Sequence, residues 1–180
     1  MKKPLSAALI ALLSAAALLL LTSMLLAGTR QNAADMALQH TLTTLLPGSS
    51  VFSEETPAAD HPLITAAWRS SHGCVAEVTC AGYAGDIVML VGVDNGGTVT
   101  GVVLRDLQET YGLGFRALNH VPFLSQLPGT AGNARLGDNV QPITGATVTS
   151  RAVVRAVNAA SAYVTGADTT TEATEWEALT

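Results

Sequence analysis

The chain has 180 residues, a length that favours one domain with a short additional segment. Three of its nine basic residues, Lys2, Lys3 and Arg30, lie in the first 30 positions, whereas all 14 acidic residues follow them. Residues 31–180 therefore carry a formal charge of −8, from six arginines against 14 acidic residues. This charge argues against a nucleic acid as partner, because phosphate binding needs clustered basic side chains. An apolar fraction of 48% and only two cysteines exclude collagen-like, disordered and disulfide-scaffold proteins.

The first element is an apolar segment over residues 5–27 that contains neither charge nor proline. A helix of this length extends about 34 Å, which matches a bilayer core of about 30 Å. Lys2 and Lys3 precede it and only Arg30 follows, so the positive-inside rule puts the N-terminus in the cytoplasm and the rest of the chain outside. A cleaved signal peptide is the alternative, although its apolar region is usually shorter, about 7–15 residues. We predict a cytoplasmic start and transmembrane anchor over residues 1–30, which excludes a soluble cytoplasmic protein.

The remainder of the chain shows the pattern of one α+β domain behind a linker. Residues 31–62 are predicted as a juxtamembrane helix over 33–46, ended by Pro47 and Gly48, followed by a loop over 53–62. The domain is predicted over residues 63–166, with an antiparallel sheet and packed helices. Its predicted elements are strands over 75–79, 86–93 and 98–104, a hairpin turn over 94–97, a helix over 115–127 broken around Pro122, and a helix over 148–164. Residues 167–180 are predicted as a disordered tail.

The long helix and the two cysteines each carry a specific expectation. Val153, Val154, Val157 and Ala160 fall on one face of the 148–164 helix, as in an amphipathic helix that packs on a sheet. Cys74 and Cys80 flank the first predicted strand. Outside the membrane they could form a disulfide, which we favour slightly over two buried free thiols. Their spacing is a poor metal site.

Two short segments could bind a ligand. Residues 109–114 read ETYGLG, and glycines separated by one residue permit a tight turn with close backbone approach, although an ordinary strand-to-helix turn gives the same pattern. Residues 144–150 read TGATVTS immediately before the long helix, whose N-terminus favours a phosphate. Arg151 and Arg155 could add charge-assisted bonds there. The alternative is that Thr147 or Thr149 is simply the N-cap of that helix.

Taken in this order behind an N-terminal anchor, the two segments resemble the FMN-binding domain of bacterial membrane electron-transport complexes. The likeness is to the G subunit of the Rnf ion-translocating oxidoreductase, with the C subunit of the sodium-pumping NADH:quinone reductase as a cousin. It runs from about residue 82 to 164 and includes GYAGDIVMLVGVDNGGTVTGVVL, ETYGLG, FLSQL and TGATVTSRAV. The family carries a [ST]-G-A-T-x-[ST] segment whose second hydroxyl residue is esterified to the phosphate of FMN. The resemblance implies that Thr147 carries covalent FMN, installed by a flavin transferase that uses FAD.

The resemblance also implies which other residues line the FMN site. They are Thr144, Gly145, Ala146 and Thr149 around the attachment position, and Glu109, Thr110, Tyr111, Gly112, Leu113 and Gly114 near the flavin ring. Two positions depart from the family. Relatives usually have an acidic residue where this chain has Gln141, a change that could slow attachment, and proline where it has Tyr111, whose ring could stack on the flavin.

The expected function is therefore that of a single-pass cell-membrane flavoprotein subunit with its domain on the extracytoplasmic side. It would relay electrons through covalent FMN within an Rnf-type ion-translocating ferredoxin/NAD oxidoreductase complex, without independent catalytic activity and with no metal site. The expected partners are the other subunits of the complex, the flavin transferase and the membrane. Two alternatives remain open: a stand-alone membrane-tethered FMN carrier for another redox system, and an unflavinylated anchored binding module.

Overall fold

A computed structural model describes residues 3–83, 85–107 and 121–167 of the chain. It divides the chain into two compact units on either side of the Thr41–Leu42 bond. Helix α1 (Lys3–Leu45) includes the apolar segment and residues 33–45 of the predicted 33–46 helix. Among the described residues, no helix satisfies both the length and the apolarity required for a membrane span. The anchor over residues 5–27 stays a prediction.

The second unit is built on an antiparallel five-stranded sheet in which each strand pairs with the next along the chain. The strands are β1 (Ser53–Glu55), β2 (Ile64–Ser70), β3 (Gly73–Ala81), β4 (Asp86–Asp94) and β5 (Val99–Leu107). The predicted hairpin between β4 and β5 is confirmed, because Asp94 N donates to Thr98 O at 2.9 Å and Gly97 N donates to Asp94 O at 3.0 Å. The predicted strands are also confirmed, each in a longer form. This agrees with the expected α+β class.

The sheet contains two strands that the sequence analysis did not predict. Strand β1 occupies the first three residues of the segment predicted as a loop, so that prediction is wrong there. Its short, acidic sequence has no strand pattern of its own, and it is held by pairing with β2, in which Glu54 lies opposite Trp68. Arg69 of β2 reinforces this pairing, because its Nε donates to both Glu55 carboxylate oxygens, at 2.8 and 2.9 Å.

Two helices complete the described unit, α2 (Val121–Leu124) and α3 (Thr147–Thr165). Helix α3 packs against β3 and β4. Their contact forms the main core, which includes Ala76, Val78, Ile87, Met89, Val91, Val153, Val154, Val157 and Ala160. The predicted apolar face of α3 is confirmed.

The predicted helix over 115–127 is wrong from residue 125 onward, because α2 ends at Leu124. Pro122 lies in the first turn of α2, where a backbone N–H has no partner within the helix, so proline removes no helical hydrogen bond there. Residues 115–120 and 168–180 of these predictions lie outside the described residues.

The cysteine prediction is also wrong in the form we favoured. Cys74 and Cys80 are both free and buried. They lie six residues apart on one strand, β3, so their Cα atoms are about 20 Å apart at about 3.3 Å per residue, whereas a disulfide needs about 4.4–6.8 Å. The alternative of two buried thiols is correct. Burial raises the pKa of each thiol from 9.0 to about 11.

The C-terminal end of α1 rests on the sheet where two glycines lie opposite each other. Leu42, Leu45 and Leu46 are buried. Gly92 of β4 pairs with Gly101 of β5, and a Cβ on Gly92 would lie 2.5 Å from the Leu45 carbonyl oxygen. The Thr100 hydroxyl donates to that same oxygen at 2.5 Å. The missing side chains at these glycines therefore permit the close approach of the helix end.

Candidate functional site: the turn that begins helix α3

The candidate attachment residue, Thr147, is the first residue of helix α3. The residue before it, Ala146, is the N-cap, and no side chain caps this end of the helix. The alternative in which Thr147 or Thr149 is a simple N-cap is therefore wrong. The Ser150 N–H donates to Ala146 O at 2.9 Å and closes the first helical turn. Backbone N–H groups before that point face out of the helix end and give it partial positive charge.

A tight turn over residues 143–146 delivers the chain to this helix end. Ala146 N donates to Ile143 O at 3.0 Å, which closes a four-residue turn. Gly145 has a φ of 82°, a conformation that favours glycine and that suits the third position of a type II turn. The glycine of the motif is thus explained by backbone geometry, independently of any ligand.

Exposure divides the predicted attachment residues into two groups. Thr144, Gly145 and Thr147 are exposed, so the Thr147 hydroxyl is within reach of a large reagent. Ala146 and Thr149 are buried, with 6% and 1% of their surface exposed. The structure therefore brings the first three together on the surface and separates Thr149 from them, since its side chain packs in the interior.

The charges around the turn favour an anion. The first turn of α3 contains no acidic residue. Arg151 and Arg155 are both exposed, and they follow Thr147 at spacings of four and eight residues, which lie on the same side of a helix. Together with the positive helix end, these two side chains favour an anion such as a phosphate on this side of α3.

The second candidate segment, residues 109–114, lies outside the described residues, so Glu109, Thr110, Tyr111, Gly112, Leu113 and Gly114 stay predictions. The strand that precedes it ends at Leu107, which pairs with Ile87 near the start of β4. Helix α3 runs in the same direction as β4, because Ser161 near its far end donates to Gly97 O at 2.5 Å, just beyond the end of β4. Thr147 therefore lies toward the end of the sheet at which β5 finishes.

Two residues that the sequence analysis did not single out support the turn. The Ser150 hydroxyl donates to Ala146 O at 2.9 Å and accepts from Ile143 N at 3.2 Å. The Gln126 side chain accepts from Gln141 N at 2.8 Å and donates to Gln141 O at 3.4 Å. A serine in the first turn of a helix can bond to the carbonyl four residues earlier, so Ser150 had a recognisable signal. Gln126 had none, because it acts across 15 residues of chain.

Comparison with known proteins shows which family this region resembles. Residues 82–162 match the FMN-binding domain family. The chain is similar to the G subunit of the ion-translocating oxidoreductase complex of Vibrio cholerae, with 42% identity over 93 residues, and to that of Escherichia coli O157:H7, with 39% identity over 92 residues. It is also similar to the G subunit of the Na⁺-translocating ferredoxin:NAD⁺ oxidoreductase complex of Acetobacterium woodii, with 35% identity over 86 residues.

The chain matches just under half of the length of these relatives. The shared region is 46% of this chain and 44% of the Vibrio cholerae protein, 46% and 45% for Escherichia coli, and 43% and 42% for Acetobacterium woodii. The likeness therefore concerns the FMN-binding domain.

The turn at the start of α3 fits the phosphate end of FMN. An exposed hydroxyl at Thr147, a helix end without a side-chain cap and the absence of acidic residues from its first turn all favour a phosphate at this position. Gly145 adds no side chain that would obstruct the approach. The residues expected near the flavin ring belong to the segment outside the described residues.

Proposed function

We propose that this chain is a membrane-anchored, extracytoplasmic flavoprotein subunit that carries FMN covalently on Thr147 and relays electrons within an Rnf-type ion-translocating ferredoxin/NAD oxidoreductase complex. The observation that carries the proposal is the exposed Thr147 hydroxyl at the uncapped, positive end of α3, inside the region that matches the FMN-binding domain family. The resemblance to the G subunits of ion-translocating complexes supports the wider role.

The attachment reaction is a phosphoryl transfer from FAD, catalysed by a separate flavin transferase. The Thr147 hydroxyl oxygen forms a bond to the FMN phosphorus, the pyrophosphate bond of FAD breaks, and AMP leaves while the hydroxyl proton passes to solvent. The new phosphodiester carries one negative charge next to the N-terminus of α3. That end stabilises anions by about 0.3–1 kcal/mol in exposed sites.

The chain positions the cofactor and does no acid–base chemistry of its own on a metabolite. FMN supplies the one- and two-electron redox chemistry, as cofactors generally do. Thr144, Gly145 and Ala146 shape the turn, Thr147 holds the phosphate, and buried Thr149 packs the first turn of α3 against the interior. Residues 109–114 are proposed to line the ring. A covalent link prevents the loss of the cofactor by dilution outside the cell.

The exposed leucines of α1 support the membrane anchor. Leu18, Leu19, Leu20 and Leu21 are each between 63% and 70% exposed, and four consecutive residues at about 100° each surround the helix. A helical turn that is apolar on every side favours an apolar surrounding. The Thr22 hydroxyl donates to Leu18 O at 3.0 Å, so this polar side chain is satisfied within its own helix, as a bilayer requires.

The linkage can be tested by producing the full chain together with its flavin transferase. We expect the denatured wild-type band to fluoresce as a flavin, and its mass to rise by one FMN less one water. Thr147→Ala should be dark. Thr65→Ala, which removes another exposed threonine from strand β2, should remain fluorescent. A dark wild-type band beside a transferase that is active on another substrate would refute the covalent carrier and favour the binding module.

The anchor and its orientation need a separate experiment. Alkaline phosphatase fused to the C-terminus is active only outside the cytoplasm, so we expect activity in the membrane fraction. An intact N-terminus by mass spectrometry would distinguish a retained anchor from a cleaved signal peptide. An inactive fusion would refute the extracytoplasmic orientation. Co-purification of the other complex subunits with the tagged chain would separate a complex subunit from a stand-alone carrier.

A further inference from the structure

Ser150 is a polar residue completely buried beneath the attachment turn. It has 0% of its surface exposed, and it lies one helical turn after Ala146. Its hydroxyl donates to Ala146 O at 2.9 Å and accepts from Ile143 N at 3.2 Å. A buried hydroxyl that both donates and accepts a hydrogen bond is fixed in one orientation, because a change of rotamer would leave buried polar groups without partners.

These two bonds join the two ends of the turn that presents Thr147. Ile143 begins the turn and Ala146 ends it, and their backbones are also joined by the bond from Ala146 N to Ile143 O at 3.0 Å. Between these ends, Thr144 and Gly145 are exposed, and glycine has the greatest backbone freedom of any residue. The Ser150 side chain therefore closes the turn from the interior, whereas Thr144 and Gly145 face solvent.

We propose that Ser150 is a positioning residue for flavin attachment, holding the turn over residues 143–146 closed so that the Thr147 hydroxyl is presented to the transferase. This inference rests on the proposed attachment of FMN at Thr147. Ser150 does not contact FAD in this role, because its side chain is buried. It acts through the backbone of Ile143 and Ala146.

The expected effect follows from the strength of one hydrogen bond. Loss of an ordinary buried bond lowers the ratio of closed to open turn by about three- to tenfold. A transferase that binds only the closed turn then shows a higher KM, by at most that factor, because apparent affinity falls with the competent fraction. The kcat at saturating protein should change little, since a bound turn is closed in either case.

Helix α3 offers a matched control at its other end. Ser161 is also buried, at 2% exposure, and its hydroxyl donates to the Gly97 carbonyl at 2.5 Å. Ser150→Ala and Ser161→Ala each remove one such buried hydroxyl from the same helix. Ser150→Thr keeps a hydroxyl that can bond to the carbonyl of residue 146 while its added methyl group crowds the interior. The three variants therefore separate the hydroxyl bond from general stability.

The experiment measures covalent flavin incorporation into full-length chain made without transferase, then supplied with purified transferase and FAD. We expect Ser150→Ala to raise KM, by at most about tenfold, with kcat retained. Ser161→Ala should match wild type, and Ser150→Thr should stay near wild type even if it unfolds more easily. Rates that follow stability, rather than the presence of the Ser150 hydroxyl, would overturn the proposal.

Amide hydrogen exchange on the unflavinylated chain gives a readout that does not depend on FMN. Ser150→Ala should speed exchange at Ile143 and Ala146 about three- to tenfold relative to wild type, while Ser161→Ala leaves both unchanged. Equal exchange in Ser150→Ala and wild type would overturn the role of Ser150. A wild-type chain that takes up no flavin, with exchange as expected, would instead refute attachment at Thr147, and with it the role of Ser150 in attachment.

Discussion

Replacing Gly92 with alanine would place a methyl group against the backbone at the end of helix α1. The new Cβ would lie 2.5 Å from the Leu45 carbonyl oxygen and 2.6 Å from the Thr100 hydroxyl oxygen. Neither atom can move away freely. The carbonyl belongs to the helix backbone, and the hydroxyl is bonded to that carbonyl. The substitution must therefore displace the helix end from β4.

The cost can be estimated from three effects. Overpacking of a well-filled interior costs about 1–3 kcal/mol. Loss of the bond from Thr100 to Leu45 adds about 0.5–1.5 kcal/mol. A glycine-to-alanine change also reduces the conformational entropy of the unfolded chain, which stabilises the folded protein by about 0.4–1 kcal/mol. We expect Gly92→Ala to lower the free energy of unfolding by about 2 kcal/mol, near the middle of the range of about 0.5–4 kcal/mol that these effects span.

Gly101→Ala is the matched control, because Gly101 lies opposite Gly92 in the sheet and faces the same leucine. Its Cβ would meet the Leu45 Cδ2 atom at 3.0 Å, the far end of a flexible side chain that can rotate. We expect it to cost less than about 1 kcal/mol, since a small shift relieves the contact.

Urea unfolding of the detergent-solubilised full chain would measure both variants. Labelling of Cys74 and Cys80 reports opening of the sheet, since both thiols are buried in β3. Equal losses of stability in the two variants, or none in either, would refute the argument that backbone contact at Leu45 requires glycine at position 92.

Three further predictions test the thiols and the support of the attachment turn. Mass spectrometry after denaturing alkylation should find Cys74 and Cys80 both fully alkylated, and a mass lower by two hydrogens with neither thiol alkylated would contradict their placement on one strand. Burial raises the pKa of both thiols from 9.0 to about 11, so between these pH values the folded state keeps protons that the unfolded state loses. The free energy of unfolding should therefore be constant below pH 9 and fall as the pH rises from 9 to 11. Replacing both cysteines with alanine should make that fall smaller. Gln126→Ala should slow flavin incorporation about two- to tenfold by freeing the Gln141 backbone, whereas Gln126→Glu keeps the acceptor of the 2.8 Å bond and should stay near wild type. Equal initial rates in these two Gln126 variants would show that the bond does not matter.

The parts of the fold that sequence predicted are those with strong local signals. Gly97, with a φ of 84°, permits the tight β4–β5 hairpin, and the regular apolar spacing of α3 defines its buried face. Strands β1 and β2 lack such signals. Strand β1 is three residues long and exists through its pairing with β2 and the ion pair of Glu55 with Arg69, which are contacts between distant parts of the chain.

The candidate site shows the same division. The motif around Thr147 could be read from sequence because small residues before a helix allow a tight turn and leave the helix N-terminus accessible to an anion. The preference for a disulfide failed because Cys74 and Cys80 flank one predicted strand, and an extended strand of that length holds its ends too far apart for a bridge. Thr149 follows Thr147 by two residues, which turns it about 200° around the helix and into the interior. Its hydroxyl therefore cannot be assumed to face the same ligand as Thr147.

The position of Thr147 has a consequence for the proposed relay. A cofactor held on a mobile loop would sample many positions, whereas sites built on rigid elements are held more closely. Thr147 begins a helix whose next turn is already buried, with Thr149 and Ser150 at 1% and 0% exposure. The proposed attachment point thus combines an accessible hydroxyl with a buried backbone two residues away. A flavin at this position must be reached first by the transferase and later by its redox partners. This arrangement would leave the flavin accessible while its attachment residue stays fixed. In our proposal, the buried hydrogen bonds of Ser150, rather than the ligand, make the turn rigid.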